Sequence, residues 1–237
     1  CRPDVACETV GIARGSEFPD ALAASGLAGT LGAQVLITET EGLTAETKAE
    51  IKRLGAKRAV VLGNEYSISA RTFNEIKSLV GGNAERIGGA ERFETALEIY
   101  KAGKGWGTTA VVATGTKAAD SLSISPIAYN LSAPVFLVGE GGSVSQDVLD
   151  AIAKGGFDKV LVLGDKYSVS DDSLAQIKKL VSDTERIGGA DRYVTSQLTA
   201  EWAVEHAGFA YDSVLLTAGR DEKYADALVS SSLGGQG

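Results

Sequence analysis

Apolar residues along this chain fall into two kinds of segment. Short, uninterrupted apolar runs such as Arg58–Leu62 and Lys159–Leu163 lack alternating polar positions, which is typical of interior strands in a parallel sheet. Longer segments such as Ala45–Leu54 carry apolar residues three or four positions apart, which is typical of amphipathic helices. Further strands are predicted at Glu8–Ala13, Gln34–Thr38, Ala110–Ala113 and Pro134–Val138, and a further helix near Ser145–Ala153.

Helix starts are marked by residues suited to cap them. Ser69 and Ser170 each precede a helical pattern and can accept a hydrogen bond from its free N–H groups. Pro19 begins an Ala-rich helix that ends near Leu31, in a position where its missing N–H has no cost. The buried stripes of the two serine-capped helices are predicted to be Phe73, Ile76, Leu79 and Val80, and Leu174, Ile177, Leu180 and Val181. Strands alternating with helices imply right-handed β-α-β units. We therefore predict an α/β fold, Rossmann-like or flavodoxin-like, with parallel sheets.

Three motifs recur in one order at nearly one spacing. The repeated segments are Arg86–Thr95 with Arg186–Thr195, Val60–Ser69 with Leu161–Ser170, and Phe18–Leu22 with Ala118–Leu122 and Tyr224–Leu228. A period of about 100 residues with this regularity indicates tandem repeats. We predict repeat one at residues 8–107, repeat two at residues 108–212, and the start of a truncated third repeat at residues 213–237.

The two complete repeats are expected to form separate modules, with a boundary near Gly105–Thr108. The third segment should contain a strand at Ser213–Thr217 and one helix, which bury too little apolar surface to form a core alone. We expect it to pack on repeat two or to bridge back to repeat one. Its predicted buried residues are Leu215, Leu216, Leu228 and Val229.

The most distinctive motif is Arg-Ile-Gly-Gly-Ala-(Asp/Glu)-Arg-(Phe/Tyr), which reads as a strand-to-helix turn. Its candidate functional residues are Arg86, Glu91 and Arg92 in repeat one, and Arg186, Asp191 and Arg192 in repeat two. N–H groups and guanidinium groups at this turn could hold an anionic or hydroxyl-rich ligand. Alternatively, the arginines form an internal clasp with carboxylates, which we favour because both partners recur in every repeat.

The acidic half of that clasp is predicted at a second repeated position. Asp20, Asp120 and Asp226 each open an Asp-(Ala/Ser)-Leu segment near a helix start. A carboxylate there is usually a helix cap and only sometimes a ligand. We predict that Arg92 and Arg192 bond to carboxylates, first of all at this position in the same or an adjacent repeat.

Charge and composition exclude several functions. A net charge of -8 and a pI near 4.8 argue against nucleic-acid binding, so any anionic partner needs a local basic pocket. No apolar stretch is long enough to span a membrane. Nucleotide-binding glycine motifs, a serine-nucleophile elbow and a zinc-ligand pattern are all missing, so no cofactor or metal is expected, and His206 is interpreted as a surface or helix-cap residue.

The N-terminus leaves two points open. Cys1 and Cys7 could form a small disulfide in an oxidising compartment, or they could be two free thiols. The chain begins without an initiator Met, and we expect a processed or recombinant fragment.

The motifs Phe-Pro-Asp-Ala-Leu, Ala-Gln-Val-Leu-Ile-Thr, Val-Val-Leu-Gly and Arg-Ile-Gly-Gly-Ala-Asp-Arg-Tyr resemble the cell wall binding repeat 2 family of Gram-positive surface proteins. The resemblance runs from Thr9 onward, and it departs from the family's usual pattern at Gly63-Asn64, Gly164-Asp165 and Glu91. It implies three Rossmann-like repeats in a pseudo-threefold set, which would be incomplete here. It also implies a secreted, cell-surface protein that anchors non-covalently to an anionic wall polysaccharide.

Alternative functions stay open on the sequence. A cell-wall hydrolase, such as an amidase or glycosidase, could use the same scaffold. The candidate residues are either duplicated or isolated, which suits multivalent binding of a polymer better than catalysis. Self-assembly without glycan contact is a third interpretation.

Overall fold

Strands and helices alternate through most of the chain. The computed structural model describes residues 7–220 and 224–235, without the side chains of residues 119 and 120. The strands of the described residues are β1 (Thr9–Arg14), β2 (Gln34–Thr38), β3 (Arg58–Leu62), β4 (Ala84–Ile87), β5 (Thr109–Thr114), β6 (Val135–Val138), β7 (Lys159–Leu163) and β8 (Asp183–Ile187). The helices are α1 (Pro19–Leu31), α2 (Ala45–Leu54), α3 (Ala70–Leu79), α4 (Arg92–Ala102), α5 (Ala118–Leu122), α6 (Ser125–Asn130), α7 (Gln146–Lys154), α8 (Asp171–Leu180), α9 (Arg192–His206) and α10 (Ala225–Gly234).

The predicted α/β fold class is confirmed by two four-stranded parallel sheets. Their strand orders are β2-β1-β3-β4 and β6-β5-β7-β8, so the second sheet repeats the topology of the first. In the first sheet, β1 is followed by its outer neighbour β2 on one side, and β3 is followed by its outer neighbour β4 on the other side. The second sheet has the same arrangement. This arrangement opens a crevice at the carboxyl ends of β1 and β3, the place where ligands bind in open α/β sheets.

Alternating residues of the central strands enter different cores. In β3, Ala59 and Val61 pack in a core beneath α2 and α3, whereas Val60 and Leu62 pack on the opposite face of the sheet. The same division holds in β7, where Val160 and Leu161 enter different cores. Both faces of these strands are therefore buried, which explains their uninterrupted apolar sequence.

The inner faces of the two sheets share one core. It contains Leu22 of α1 and Leu62 of β3 together with Val111 of β5 and Leu163 of β7. The helix α4 also crosses between the repeats: its Ile99 enters this shared core, whereas its Leu97 packs in the outer core of the second sheet with Phe136. The boundary between the repeats at residue 107 stays a prediction. It assigns α4 to repeat one, although α4 also packs on the sheet of repeat two.

The C-terminal segment bridges the two repeats. Ser232 Oγ donates to Gln34 Oε1 at 2.6 Å, and Asn130 Nδ2 donates to the Gly235 carbonyl at 3.3 Å. The ring of Tyr224 meets Phe18 edge-on, with 6.0 Å between the centroids. The helix α10 thus lies against β2 and α1 on one side and α6 on the other, as the sequence analysis expected.

Two predictions for this segment are wrong. Ser213–Thr217 forms no strand, and Leu215 and Leu216 are 51% and 92% exposed. Of the other two residues predicted to be buried, Leu228 is buried, whereas Val229 is 37% exposed, so the prediction is wrong for Val229 as well. A parallel strand requires a neighbouring strand to satisfy its backbone groups, and the described residues after 213 contain no second strand for it.

Two smaller differences concern repeat two. The counterpart of α1 is broken into α5 and α6, with Pro126 at the start of the second helix. The prediction that Leu180 is buried is wrong, since this last residue of α8 is 43% exposed.

Cys7 is buried and disulfide-bonded, and Cys1 lies outside the described residues. Over residues 7–220 and 224–235, we find no helix with the length and apolar character to cross a membrane. Over the same residues, no group of His, Cys, Asp and Glu is arranged to hold a metal ion.

The close approach of α1 to repeat two gives a first prediction. A Cβ on Gly26 would lie 1.9 Å from the Ala133 carbonyl oxygen, so Gly26→Ala forces the two backbones apart. We expect the free energy of unfolding to fall by about 3 kcal/mol. Chemical denaturation followed by circular dichroism measures this change.

The matched control is Gly11→Ala in β1, where the nearest atom to a new Cβ is 3.7 Å away. This variant should unfold close to the wild type. Equal stability of the two variants would contradict the packing of α1.

Candidate functional site

A cleft of about 330 Å³ opens at the carboxyl end of the first sheet. We call it the switch-point cleft, and its walls come from the loops after β1, β3 and β4. Its lining includes Arg14, Glu17, Asp20, Asn64, Tyr66 and Arg92. It therefore occupies the crevice that the strand order predicts.

The loop after β3 is held by a side chain from β4. Arg86 donates from Nη1 to the carbonyls of Gly63 and Asn64 at 3.0 and 2.9 Å, and from Nη2 to Ile68 at 2.7 Å. Desolvation by burial lowers the pKa of its guanidinium from the ordinary value. Arg186 repeats the arrangement on the Gly164 and Val169 carbonyls and also contacts Asp171. Both arginines thus shape their loops, and Arg86 does not line the cleft.

The glycine turn is tied to the helix that follows it. The Gly89 N–H donates to Thr95 Oγ1 at 3.0 Å, and the Gly189 N–H donates to Thr195 Oγ1 at 3.0 Å. Glu91 and Asp191 occupy the N-cap positions of α4 and α9. Only the aspartate caps its helix, because its shorter side chain reaches two N–H groups, both at 2.9 Å.

The second arginine of the motif contacts the next repeat. Arg92 Nη1 donates to the Gly115 carbonyl at 2.8 Å, and Arg192 Nη1 donates to the Gly219 carbonyl at 2.9 Å. The neighbouring aromatic rings lie over these glycines: a Cβ on Gly115 would be 2.8 Å from Phe93 Cε1, and a Cβ on Gly219 would be 2.9 Å from Tyr193 Cε1. We call this pair of interactions the arginine–glycine contact.

The predicted ion pair between Arg92 and Asp20 is wrong in its acidic partner. Arg92 Nη2 lies 3.5 Å from Glu17 Oε2, and the other oxygen of Glu17 pairs with Arg14 Nη2. Asp20 lines the same cleft as Arg92 but accepts a hydrogen bond from Ser67 Oγ at 3.1 Å. Arg92 therefore binds the Gly115 carbonyl and Glu17, which lies three residues before the expected Asp20.

The remaining sequence-predicted carboxylates lie elsewhere. Asp226 is exposed in the first turn of α10. Asp120 belongs to α5, and its side chain lies outside the described residues, as does any contact that it makes with Arg192.

A second cleft of about 490 Å³ lies between the repeats. This inter-repeat cleft is lined by Glu17, Arg92, Lys117, Arg192 and Tyr224, among other residues. Glu17 and Arg92 line both clefts, so their ion pair forms the partition between them. Three basic side chains and one acidic side chain are thus described around one cavity of a chain with a net charge of -8.

Sequence reasoning missed several residues of these clefts, among them Arg14, Glu17, Tyr66 and Lys117. A signal existed for Tyr66, because it lies in a repeated motif and follows a buried strand, yet its side chain is 88% exposed. The other three had no such signal, because repeat two carries Thr114 where Arg14 lies and Lys117 where Glu17 lies.

Comparison with known proteins places this architecture in a family. The sequence model of Cell wall binding domain 2 (CWB2) matches residues 4–73 and 86–174. The chain belongs to the cell wall binding domain 2 family. This family membership makes the chain part of a secreted, cell-wall-associated protein.

Relatives of this CWB2 chain include proteins of Bacillus subtilis. It is 32% identical over 185 residues to N-acetylmuramoyl-L-alanine amidase LytC, covering 78% of this chain and 36% of the amidase. It is also 32% identical over 194 residues to the amidase enhancer, covering 81% of this chain and 26% of that protein. The chain thus spans only a minor part of each relative.

Two solved structures from Clostridium difficile have the same fold. Cwp6 matches with a TM-score of 0.82 and 27% identity, and Cwp8 with a TM-score of 0.83 and 26% identity. Each match covers 98% of this CWB2 chain, but 36% of Cwp6 and 40% of Cwp8.

The surroundings of Asp20 predict a pH-dependent stability. Desolvation by burial raises the pKa of this carboxyl above its ordinary value, against the lowering effect of the Ser67 hydrogen bond and of Arg14. The folded chain therefore binds the proton more tightly than the unfolded chain. Stability from this group is present below a pH of about 4 and is lost as the pH rises through the folded pKa.

Asp20→Asn keeps an acceptor for the Ser67 hydroxyl and removes the buried charge. We expect its free energy of unfolding to exceed that of the wild type at pH 7, with the gap closing towards pH 4. Urea unfolding at several pH values measures the gap, and the exposed Asp158→Asn is the control. A less stable Asp20→Asn with a pH-independent gap would contradict the assignment.

Proposed function

We propose that the chain is a non-catalytic wall anchor that binds an anionic cell-wall polysaccharide across the two adjoining clefts. The observation that carries the proposal is the set of basic side chains around the inter-repeat cleft. Arg92, Lys117 and Arg192 converge there on an otherwise acidic chain. Such a local basic site attracts an anionic polymer that the net charge would repel.

Exposed aromatic rings support a sugar ligand. Tyr66 is 88% exposed at the switch-point cleft, and Tyr224 lines the inter-repeat cleft. A tyrosine has an apolar ring face with a polar tip, so it can lie against a pyranose ring and still reach a hydroxyl group. Tyr167, the counterpart of Tyr66 in repeat two, is 70% exposed.

The extent of the matches and the contacts of the motif arginines favour binding over catalysis. The amidase and the amidase enhancer are both mostly outside the matched region, which leaves room for other domains to carry their activities. In this chain, the arginines of the motif are engaged with backbone carbonyls in both repeats. Two similar modules in one chain raise the avidity for a polymer through effective concentration.

The test is co-sedimentation with purified Gram-positive cell walls, before and after acid extraction of their anionic polymers. We expect the wild-type chain to bind native walls and to lose that binding on extracted walls. Lys117→Glu should weaken binding about tenfold, which is roughly 1.4 kcal/mol. The effect should shrink at high salt because of screening.

The matched control is Lys104→Glu, which makes the same change in net charge at an exposed position in the loop between α4 and β5. It should bind as the wild type does. Equal binding to native and extracted walls would contradict an anionic ligand. Release of soluble wall fragments by the chain alone would contradict a non-catalytic role and favour the hydrolase.

A further inference from the structure

Glu17 sits where an anion bound by two arginines would sit. Its carboxylate pairs with Arg14 Nη2 through Oε1 and lies 3.5 Å from Arg92 Nη2 through Oε2. It lines both clefts and separates them. The carboxylate therefore lies between the switch-point cleft and the inter-repeat cleft.

The two arginines are also held by backbone carbonyls, whereas the Glu17 carboxylate pairs only with the two arginines among residues 7–220 and 224–235. Arg14 Nη1 donates to the Tyr66 carbonyl at 3.3 Å, and Arg92 Nη1 donates to the Gly115 carbonyl at 2.8 Å. The Glu17 side chain is 51% exposed, against 19% for Arg14 and 36% for Arg92. Rotation of Glu17 towards solvent would thus leave both guanidinium groups in place.

One donor of this arrangement is unused. Arg14 Nε is buried and has no hydrogen-bond partner among the described residues. Nε and Nη2 form one edge of the guanidinium group, and that edge suits two oxygens of a carboxylate or phosphate. Glu17 engages only Nη2, so the edge is half satisfied, and a buried donor without a partner destabilises the arrangement.

Repeat two carries different residues at the positions of Arg14 and Glu17. Its counterparts 100 residues later are Thr114 and Lys117. Thr114 is buried, and its hydroxyl bonds to Thr116 at 2.9 Å. The sequence of repeat two thus replaces both Arg14 and Glu17, whereas it keeps the motif arginine as Arg192.

We propose that Glu17 is an internal substitute for the ligand, and that an oxyanion of the polysaccharide binds by displacing it from Arg14 and Arg92. This inference rests on the proposed function and deepens it. Arg14 becomes the residue that distinguishes the oxyanion site of repeat one from repeat two. The shared ligand chemistry is a carboxylate or a phosphodiester, both of which fit the Nε–Nη2 edge of Arg14.

The test measures the affinity of the whole chain for two soluble probes, poly(glycerol phosphate) and polygalacturonate, by titration calorimetry. Glu17→Gln removes the competing charge, and we expect it to raise the affinity for at least one probe about fivefold or more. The probe that gains identifies the oxyanion as phosphodiester or carboxylate. Glu98→Gln, which alters an exposed ion-paired glutamate on α4, is the control and should gain little.

Arg14→Thr introduces the residue of repeat two and should weaken binding, and in the double variant it should abolish the gain from Glu17→Gln. Circular dichroism confirms that each variant is folded. Native-wall binding by the wild type with no gain in Glu17→Gln would overturn the substitute role and leave the wall-anchor function standing. Absence of binding to native walls by both the wild type and Glu17→Gln would overturn this proposal and the proposed function.

Discussion

The two repeats are joined by an arginine side chain that reaches the backbone of the next repeat. Arg92 and Arg192 each donate to the carbonyl of a glycine, at Gly115 and Gly219, and an aromatic ring closes over each glycine. Only a residue without a Cβ allows the ring to approach so closely. Both hydrogen bonds are partly buried, and each gives a donor to a carbonyl that packing between the segments shields from water. Phe93, the ring that closes over Gly115, also packs against the shared core.

The binding surface follows from this junction. Arg92 uses one nitrogen for Gly115 and the other for Glu17, so the side chain that joins the repeats also forms the wall between the two clefts. Lys117 and Tyr224 enter the inter-repeat cleft only because the junction brings the second repeat and the C-terminal segment beside the first. The cleft thus combines Arg92 of repeat one with Lys117 and Arg192 of repeat two.

Local sequence patterns predicted the elements well. Helix α1 has the expected bounds because Pro19 suits its start and Gly32, at φ 57°, terminates it in a left-handed conformation. The uninterrupted apolar runs predicted β3 and β7 because both faces of these strands are buried.

Long-range partners were harder to predict from the sequence. The glycine motif predicts a helix after the turn, but not that this helix, α4, packs on the second sheet. The partner of Arg92 is a backbone carbonyl, which leaves no mark in the sequence, and Glu17 has no counterpart in repeat two that would identify it. The strand expected at Ser213–Thr217 failed for a related reason: apolar residues favour a strand only where a neighbour can pair with it.

The central claim is that the two repeats form one interlocked unit. Scanning calorimetry of the wild-type chain tests it most directly, because a single cooperative transition makes the calorimetric and van't Hoff enthalpies of unfolding equal. The shared core and the arginine–glycine contact predict one transition with equal enthalpies. Two resolved transitions, one for each sheet, would contradict the account.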